Sequence, residues 1–290
     1  MKMKTILGSV VATLGVALSV PAIAFAATTV VNSTEDAGWT RQAPAADNRG
    51  TATMEISNSF GAPSGFGSSS LVIKTLTGAD KAQLANPLET SVLLSSIDQL
   101  SYNTFRDGKS TSNPKSQLPA LNLVIDFNGE ATEGGFATLV YEPVYQKGGA
   151  ASIKENQWQS WDGTGDAIWW STRPMPGVAT RDTTYVSLDS IIANNRQAVV
   201  QNVIINQGTG NAGLTAAVDG LNFNGNVFNF ELKPERATDK EDCKKEGWKT
   251  NFITTYKNQG DCVSSVTSQM NKSDTNKTVL FKIKEALSLE

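Results

Sequence analysis

There is no histidine anywhere in the 290 residues. That absence removes Ser-His-Asp and Cys-His nucleophile systems and the His-ligated zinc, copper and iron sites. Chemistry in this chain has to rest on carboxylates, Lys, Tyr or an oxygen-ligated metal. Cysteine is scarce: Cys243 and Cys262 are the two present, too far apart for a CxxC metal or redox motif. Positive charge is also short. Against 28 Asp and Glu stand 25 Lys and Arg, with no basic stripe, which speaks against nucleic acid and an anionic membrane surface as partners. Beyond the first 26 residues no apolar run is long enough to span a bilayer.

What is present begins with a leader. Lys2 and Lys4 precede an apolar run from Ile6 to Phe25, and Ala24-Phe25-Ala26 has the small-x-small form of a signal-peptidase site. The run is about as long as a membrane anchor, but Gly8, Gly15, Ser19 and Pro21 interrupt it. Cleavage after Ala26 is expected, which leaves 264 of the 290 residues, removes Lys2 and Lys4, and takes the formal charge from −3 to −5. Export makes Cys243 and Cys262 an expected disulfide.

Residues 27–232 are rich in Gly, Asn, Ser and Thr, with short apolar runs between turn residues. Strands are predicted at Thr53–Ser57, Leu71–Leu76, Leu100–Phe105, Leu121–Phe127, Ala137–Glu142, Gln157–Trp161, Ala167–Ser171, Ala198–Asn206, Leu214–Phe223 and Val227–Glu231. In Leu121–Phe127, apolar residues at every second position predict a strand with one buried face. A short helix is predicted after Ser187, with Ser187 as N-cap, Asp189 in its first turn and Asn194-Asn195 ending it. Many short strands with Gly- and Pro-containing turns predict an all-β antiparallel sandwich. A charged linker is read at 233–242, a disulfide-closed helical hairpin at 243–268 and a flexible tail at 269–290. In the hairpin Trp248, Phe252 and Tyr256 recur every four residues, one face of a helix, and Gly260 suits a left-handed C-cap.

Four tryptophans, Trp158, Trp161, Trp169 and Trp170, fall within 13 residues. Aromatic faces can stack on sugar CH groups, and the same side chains can fill the space between sheets. On extended strands Trp158 and Trp161 face opposite sides, as do Trp169 and Trp170. Asp126, Glu130, Glu133, Glu142, Asp162, Asp166 and Asp219 lie in or beside strands. A glycosidase needs two facing carboxyls, and no alternating Glu-x-Asp-x-Glu strand is present. The Gly-rich stretches 61–67 and 208–213 lack the strand-turn-helix context and following Lys-Ser/Thr of a phosphate cradle, and read as loops.

The motifs SSLVIKTLTGADKAQL, LSYNTFRD, LNLVIDFNG, FATLVYEPVYQ, WQSWD, WWSTRP and NQGTGNAGLTAAVDGLNFNG follow one another in order. Over residues 35–232 the series resembles a widespread group of bacterial secreted proteins with jelly-roll sandwiches of the galactose-binding or carbohydrate-binding-module kind. The resemblance implies a jelly-roll-like fold, and it implies a structural Ca²⁺ tying the first strand to the last, with Asp219 as last-strand ligand and Glu35 or Asp36 as its partner. Read from its own residues, Asp219 caps a turn with Gly220. The stretch CKKEGWKTNFITTYKNQGDCVSSV, residues 243–266, resembles a cysteine-closed motif at the C-termini of exported bacterial proteins, with Glu246 where glycine or a small residue is expected.

These observations support first a secreted or surface-associated, non-catalytic module for extracellular glycan or cell-envelope polymer. The alternatives are a structural or adhesive envelope protein that binds another protein, and a carboxylate-dependent glycan-cleaving enzyme.

Overall fold

The computed structural model describes residues 27–112, 114–179 and 185–269. Its strands are β1 (Ala27–Val31), β2 (Thr53–Ser57), β3 (Ser70–Thr75), β4 (Ala82–Leu93), β5 (Leu100–Arg106), β6 (Ala120–Asp126), β7 (Phe136–Tyr141), β8 (Trp158–Asp162), β9 (Ile168–Ser171), β10 (Val186–Ser187), β11 (Val199–Gln207), β12 (Leu214–Phe223) and β13 (Asn226–Phe230). Helix α1 spans Leu188–Asn194, and Ser187 Oγ accepts from the Ser190 amide at its start. The tail beyond residue 269 and the leader before residue 27 lie outside the described residues.

Two sheets form a sandwich. The first holds seven strands: β12 pairs with β5 along one side, β5 pairs with β8, and β3 and β13 share the other side of β12, extended by β2 and β1 respectively. The second runs β10-β9-β7-β6-β11-β4. Among the described strands, every ladder is antiparallel except that of β1 with β13. Leu71, Ile73, Tyr102 and Val218 of the first sheet meet Leu121, Leu123, Ile125, Leu139 and Ile205 of the second in one core. Ten predicted strands are present within one or two residues of their expected ends. β1, β4 and β10 were not predicted. β4 contains Pro87, which reads as a break, but β4 is an edge strand where a missing amide is tolerated, and Pro87 pairs with Asn202 at a register shift.

Strand β12 changes partners halfway. Leu214–Val218 pair with β3, and Leu221–Phe223 pair with β13. At the junction the Phe230 amide has no strand carbonyl opposite it, and the Asp219 carboxylate serves instead. Its Oδ1 accepts from Phe230 N and from Gly220 N, both at 2.8 Å. Gly220 is left-handed (φ +57°), and a Cβ there would come within 2.7 Å of both Asn103 and Phe66, so the bend requires glycine. Glu231 then joins the two ribbons, accepting from the Ser68 and Ser69 amides and the Ser69 hydroxyl.

Strand β6 was predicted to bury one face, and it buries both: Leu121 through Ile125 are each at most 4% exposed. The cover comes from residues 40–48. Thr40 bridges Ala85 on the open edge of β4, shielding part of an edge that would otherwise invite pairing. Ala43, Ala45 and Ala46 then pack on Ala85, Val124 and Ile204. Asp80 fixes the neighbouring turn, its carboxylate accepting from the Thr51, Leu76 and Thr77 amides and both threonine hydroxyls. The backbone amides, Thr51 foremost, hold its carboxyl well below the usual carboxylate range.

The C-terminal appendix is closed by the Cys243–Cys262 disulfide, with Cα atoms 5.8 Å apart. Cys243, Cys262, Phe252, Tyr256, Val266 and Ala237 form a small separate core, with Trp248 and Val263 against it. The expected helix through Trp248, Phe252 and Tyr256 is corrected. Helix α2 covers only Gly247–Thr250, because the amides of Ile253 and Thr254 donate to Pro234 and Glu235 carbonyls rather than back along a helix. Asn258 does not end a helix but starts one: its Oδ1 accepts from the Asp261 amide, and α3 runs over 259–269 with Gly260 inside its first turn. Residues 233–242, read as a linker, are built into the appendix, where Ala237 is fully buried. Lys245 and Glu246 both lie in the left-handed region, at φ 48° and 65°. An L side chain there is disfavoured by roughly 1–2 kcal/mol, which gives a physical reason for the glycine expected in place of Glu246.

Candidate functional site

The four clustered tryptophans separate onto different faces. Trp161 and Trp169 point inward. Trp169 is fully buried, with its indole N–H on the Gly163 carbonyl at 2.9 Å and its ring 5.4 Å from Tyr141. Trp161 donates to Thr104 Oγ1 at 2.7 Å. Trp158 lies on the outer face of the seven-stranded sheet, packed against Phe105 at 5.6 Å, and Phe105 stacks on Phe60 at 4.9 Å. The Trp158 indole N–H reaches the Phe60 carbonyl, so the segment before β3 covers this group. Trp170 lies on the outer face of the other sheet. The four therefore make no common platform, and Trp158 and Trp170 sit on opposite sides of the molecule.

Trp170 belongs to a row that crosses five strands. Ala85, Ile204, Asn122, Val140 and Trp170 are successive cross-strand partners on β4, β11, β6, β7 and β9. The alanine segment covers Ala85 and Ile204. Asn122, Val140 and Trp170 instead line a cleft of about 280 Å³, together with Glu142, Tyr145, Asn206 and Lys81. Trp170 is half-buried, and its indole N–H donates to Glu142 Oε2 at 2.8 Å, which fixes the ring plane. Tyr145 is 44% exposed and packs on Tyr185 at 4.6 Å between ring centroids. At the other end Lys81 Nζ donates to Asp47 Oδ2 at 3.1 Å, and Asn206 Oδ1 accepts from Gln83. Asn122 is 4% exposed, and its Oδ1 has no hydrogen-bond partner.

Of the seven carboxylates noted in the sequence, Glu142 is the one among the described residues that lines this cleft. Asp126 is spent on the Asn128 amide and Asp162 on Thr164. The residues expected to hold calcium each accept hydrogen bonds from the protein. Glu35 accepts from the Thr40 hydroxyl and the Arg41 amide, Asp36 from the Asn32 and Ala37 amides. Asp219 caps the Gly220 bend. Its Oδ2 is buried without a partner. Among the described residues no three Asp, Glu, His or Cys side chains gather as a metal site.

Sequence reading marked Trp170 and Glu142 but not the polar floor. Its signal was an Asn set between apolar neighbours, Asn122 within ALNLVID, and an Asn directly after an apolar run, Asn206 after Val203–Ile205 in VVQNVIINQ.

No helix among the described residues is long and apolar enough to cross a membrane. No protein-family model matches the chain, and no curated protein matches it. Among solved structures, an arabinose-bound α-L-arabinofuranosidase is similar at 15% identity, over 63% of this chain and 22% of that one, with a TM-score of 0.31. The chain thus spans about a fifth of that enzyme, and a likeness of this extent carries no argument about activity.

Proposed function

We propose that the chain is a secreted or surface-associated, non-catalytic module that binds extracellular glycan or cell-envelope polymer, with its site in the cleft of Trp170. The observation that carries this reading is a half-buried indole with a fixed ring plane, open toward a cleft whose floor holds a buried amide. A rigid aromatic face beside fixed polar groups is what stacking and hydroxyl recognition require. Aromatic stacking contacts are worth ~1–3 kcal/mol where measured for planar ligands. Trp170→Ala should therefore lower affinity for a bound glycan by about tenfold while the fold is retained, and Trp158→Ala should leave binding unchanged. A glycan array with the wild type and both variants checks this. Wild-type silence across the array would displace the glycan reading in favour of a protein partner.

The disulfide supports an oxidising destination, and we place the working protein outside the cytoplasm. N-terminal sequencing of the exported chain should begin at Ala27. Retention of Met1 would refute the cleavage after Ala26.

A further inference from the structure

We infer that the outer edge of β1, with the cavity beside it, is the docking site of this chain's own residues 278–283, which pair with β1 and cover that edge. The site lies on the other sheet from the Trp170 cleft.

Strand β1 pairs with β13 and, among the described residues, with no other strand. The Ala27 amide donates to the Gly225 carbonyl, and the Val31 carbonyl accepts from the Glu231 amide. Ala27, Thr29 and Val31 therefore turn their backbone groups toward β13, and alternation turns those of Thr28 and Val30 the other way. Thr28 and Val30 are both exposed. The strand, ATTVV, has neither charge nor proline, two of the features that keep an edge from pairing. The edge of β4, by contrast, is partly shielded by residues 40–48.

The surface next to this edge is apolar. Val30 is 49% exposed, Leu232 44% and Ile253 66%. Val30 borders a cavity of about 330 Å³ whose walls include Pro234, Phe252, Arg236 and Thr238. Leu232 lies two residues before Pro234, and the Ile253 amide donates to the Pro234 carbonyl. The chain returns to this place at the end of α3. The Gln269 side-chain amide donates to the Ala237 carbonyl at 3.3 Å, and Ala237 is flanked by Arg236 and Thr238 of the cavity wall. From Gln269 to Thr278 the chain can span about 30 Å when extended. Residues 278–283, TVLFKI, are rich in β-branched and aromatic side chains. Pairing with a sheet edge sends alternate side chains to opposite faces. Val279, Phe281 and Ile283 then share one face, which suits the cavity beside Val30. Lys282 falls on the other face, where Thr29 borders a second cleft lined by Glu89.

Amide hydrogen exchange, read by NMR on the chain from Ala27 to Glu290, tests this at a concentration where sedimentation shows a monomer. The Thr28 and Val30 amides should exchange at least about tenfold slower than in an unfolded peptide. Phe281→Asp should return both to the unfolded rate while the amides of central strand β12 stay protected. A chain ending at Gln269 should do the same, and if it does not fold, Phe281→Asp decides alone. Unprotected Thr28 and Val30 amides in the wild type would overturn the inference, as would protection that survives Phe281→Asp. Protection that appears only as the chain dimerises would overturn it too, by giving the edge to a second copy.

Discussion

Trp169→Ala should lower stability by about 3–5 kcal/mol, the range for removing a buried aromatic, whereas its neighbour Trp170→Ala should lower it by less than about 1 kcal/mol. Adjacent residues of the same type thus give opposite readouts. Trp169 is fully buried between the sheets. Its loss opens a cavity beside Tyr141 and leaves the Gly163 carbonyl without its donor. The fit is close: a Cβ on Gly163 would lie 3.1 Å from the Trp169 ring, so the surroundings have little freedom to collapse into the gap. Trp170 is half-buried on the outer face of its sheet, and its loss removes the hydrogen bond to Glu142 without opening a cavity between the sheets. Chemical denaturation of both variants measures the difference. Equal losses would mean that Trp170 is a packing residue and would remove the site proposed for it.

Stability should also fall as the pH rises from about 4 to about 7, and Asp219→Asn should abolish that slope. Burial pushes the Asp219 carboxyl up to about 7, against the two amide hydrogen bonds that favour its charged form; the nearby Glu231 carboxylate pushes it the same way as burial. In an unfolded chain the group ionises near 3.9. Between these limits the folded state keeps a proton that the unfolded state has released, so raising the pH favours unfolding. The full effect is on the order of 4 kcal/mol; it is absent below about pH 4 and complete above about pH 7. Asp80 works with the opposite sign, since its lowered carboxyl contributes stability above about pH 4 that is lost in acid. In Asp219→Asn the amide oxygen can still accept from Gly220 and Phe230, and no charge is buried. The variant should match the wild type near pH 4.5 and exceed it at pH 8. Calcium on the orphan Oδ2 would hold the carboxylate charged and reverse the slope. Melts at pH 8 with calcium and with chelator therefore test the metal proposal, since a ligand that binds only the folded state raises its melting temperature. An unchanged slope in Asp219→Asn would refute the assignment to this residue.

The two-sheet fold was legible because it rests on local signals. Alternation, turn residues and the Ser187 cap placed ten strands and α1 close to their observed limits. Strand β1 follows directly on the apolar leader, which hides its pattern, and β4 carries Pro87, whose meaning depends on whether the strand is central or at an edge. In the appendix the four-residue aromatic period predicts a helix that the chain forms only over Gly247–Thr250. There the linker carbonyls of Pro234 and Glu235 compete for the amides, and Lys245 and Glu246 turn the chain the other way. The cleft was the least legible part. Asn122, Val140 and Trp170 become neighbours only through the register of β6, β7 and β9, and register is a long-range property that local sequence does not announce.

The parallel pairing of β1 with β13 bears on the order in which the molecule can be built. Thr29 and Asn226 meet across 197 positions of chain, so the first strand of the sandwich finds its mate only when the last has been made. Until residue 230 is available, β1 has no partner in the sheet, and the ladder that joins Ala27–Val31 to Asn226–Phe230 cannot begin to form. Such distant contacts slow folding, because the loop entropy has to be met before they stabilise anything. For this chain, the complete first sheet can form only late in synthesis, once residue 230 has been made.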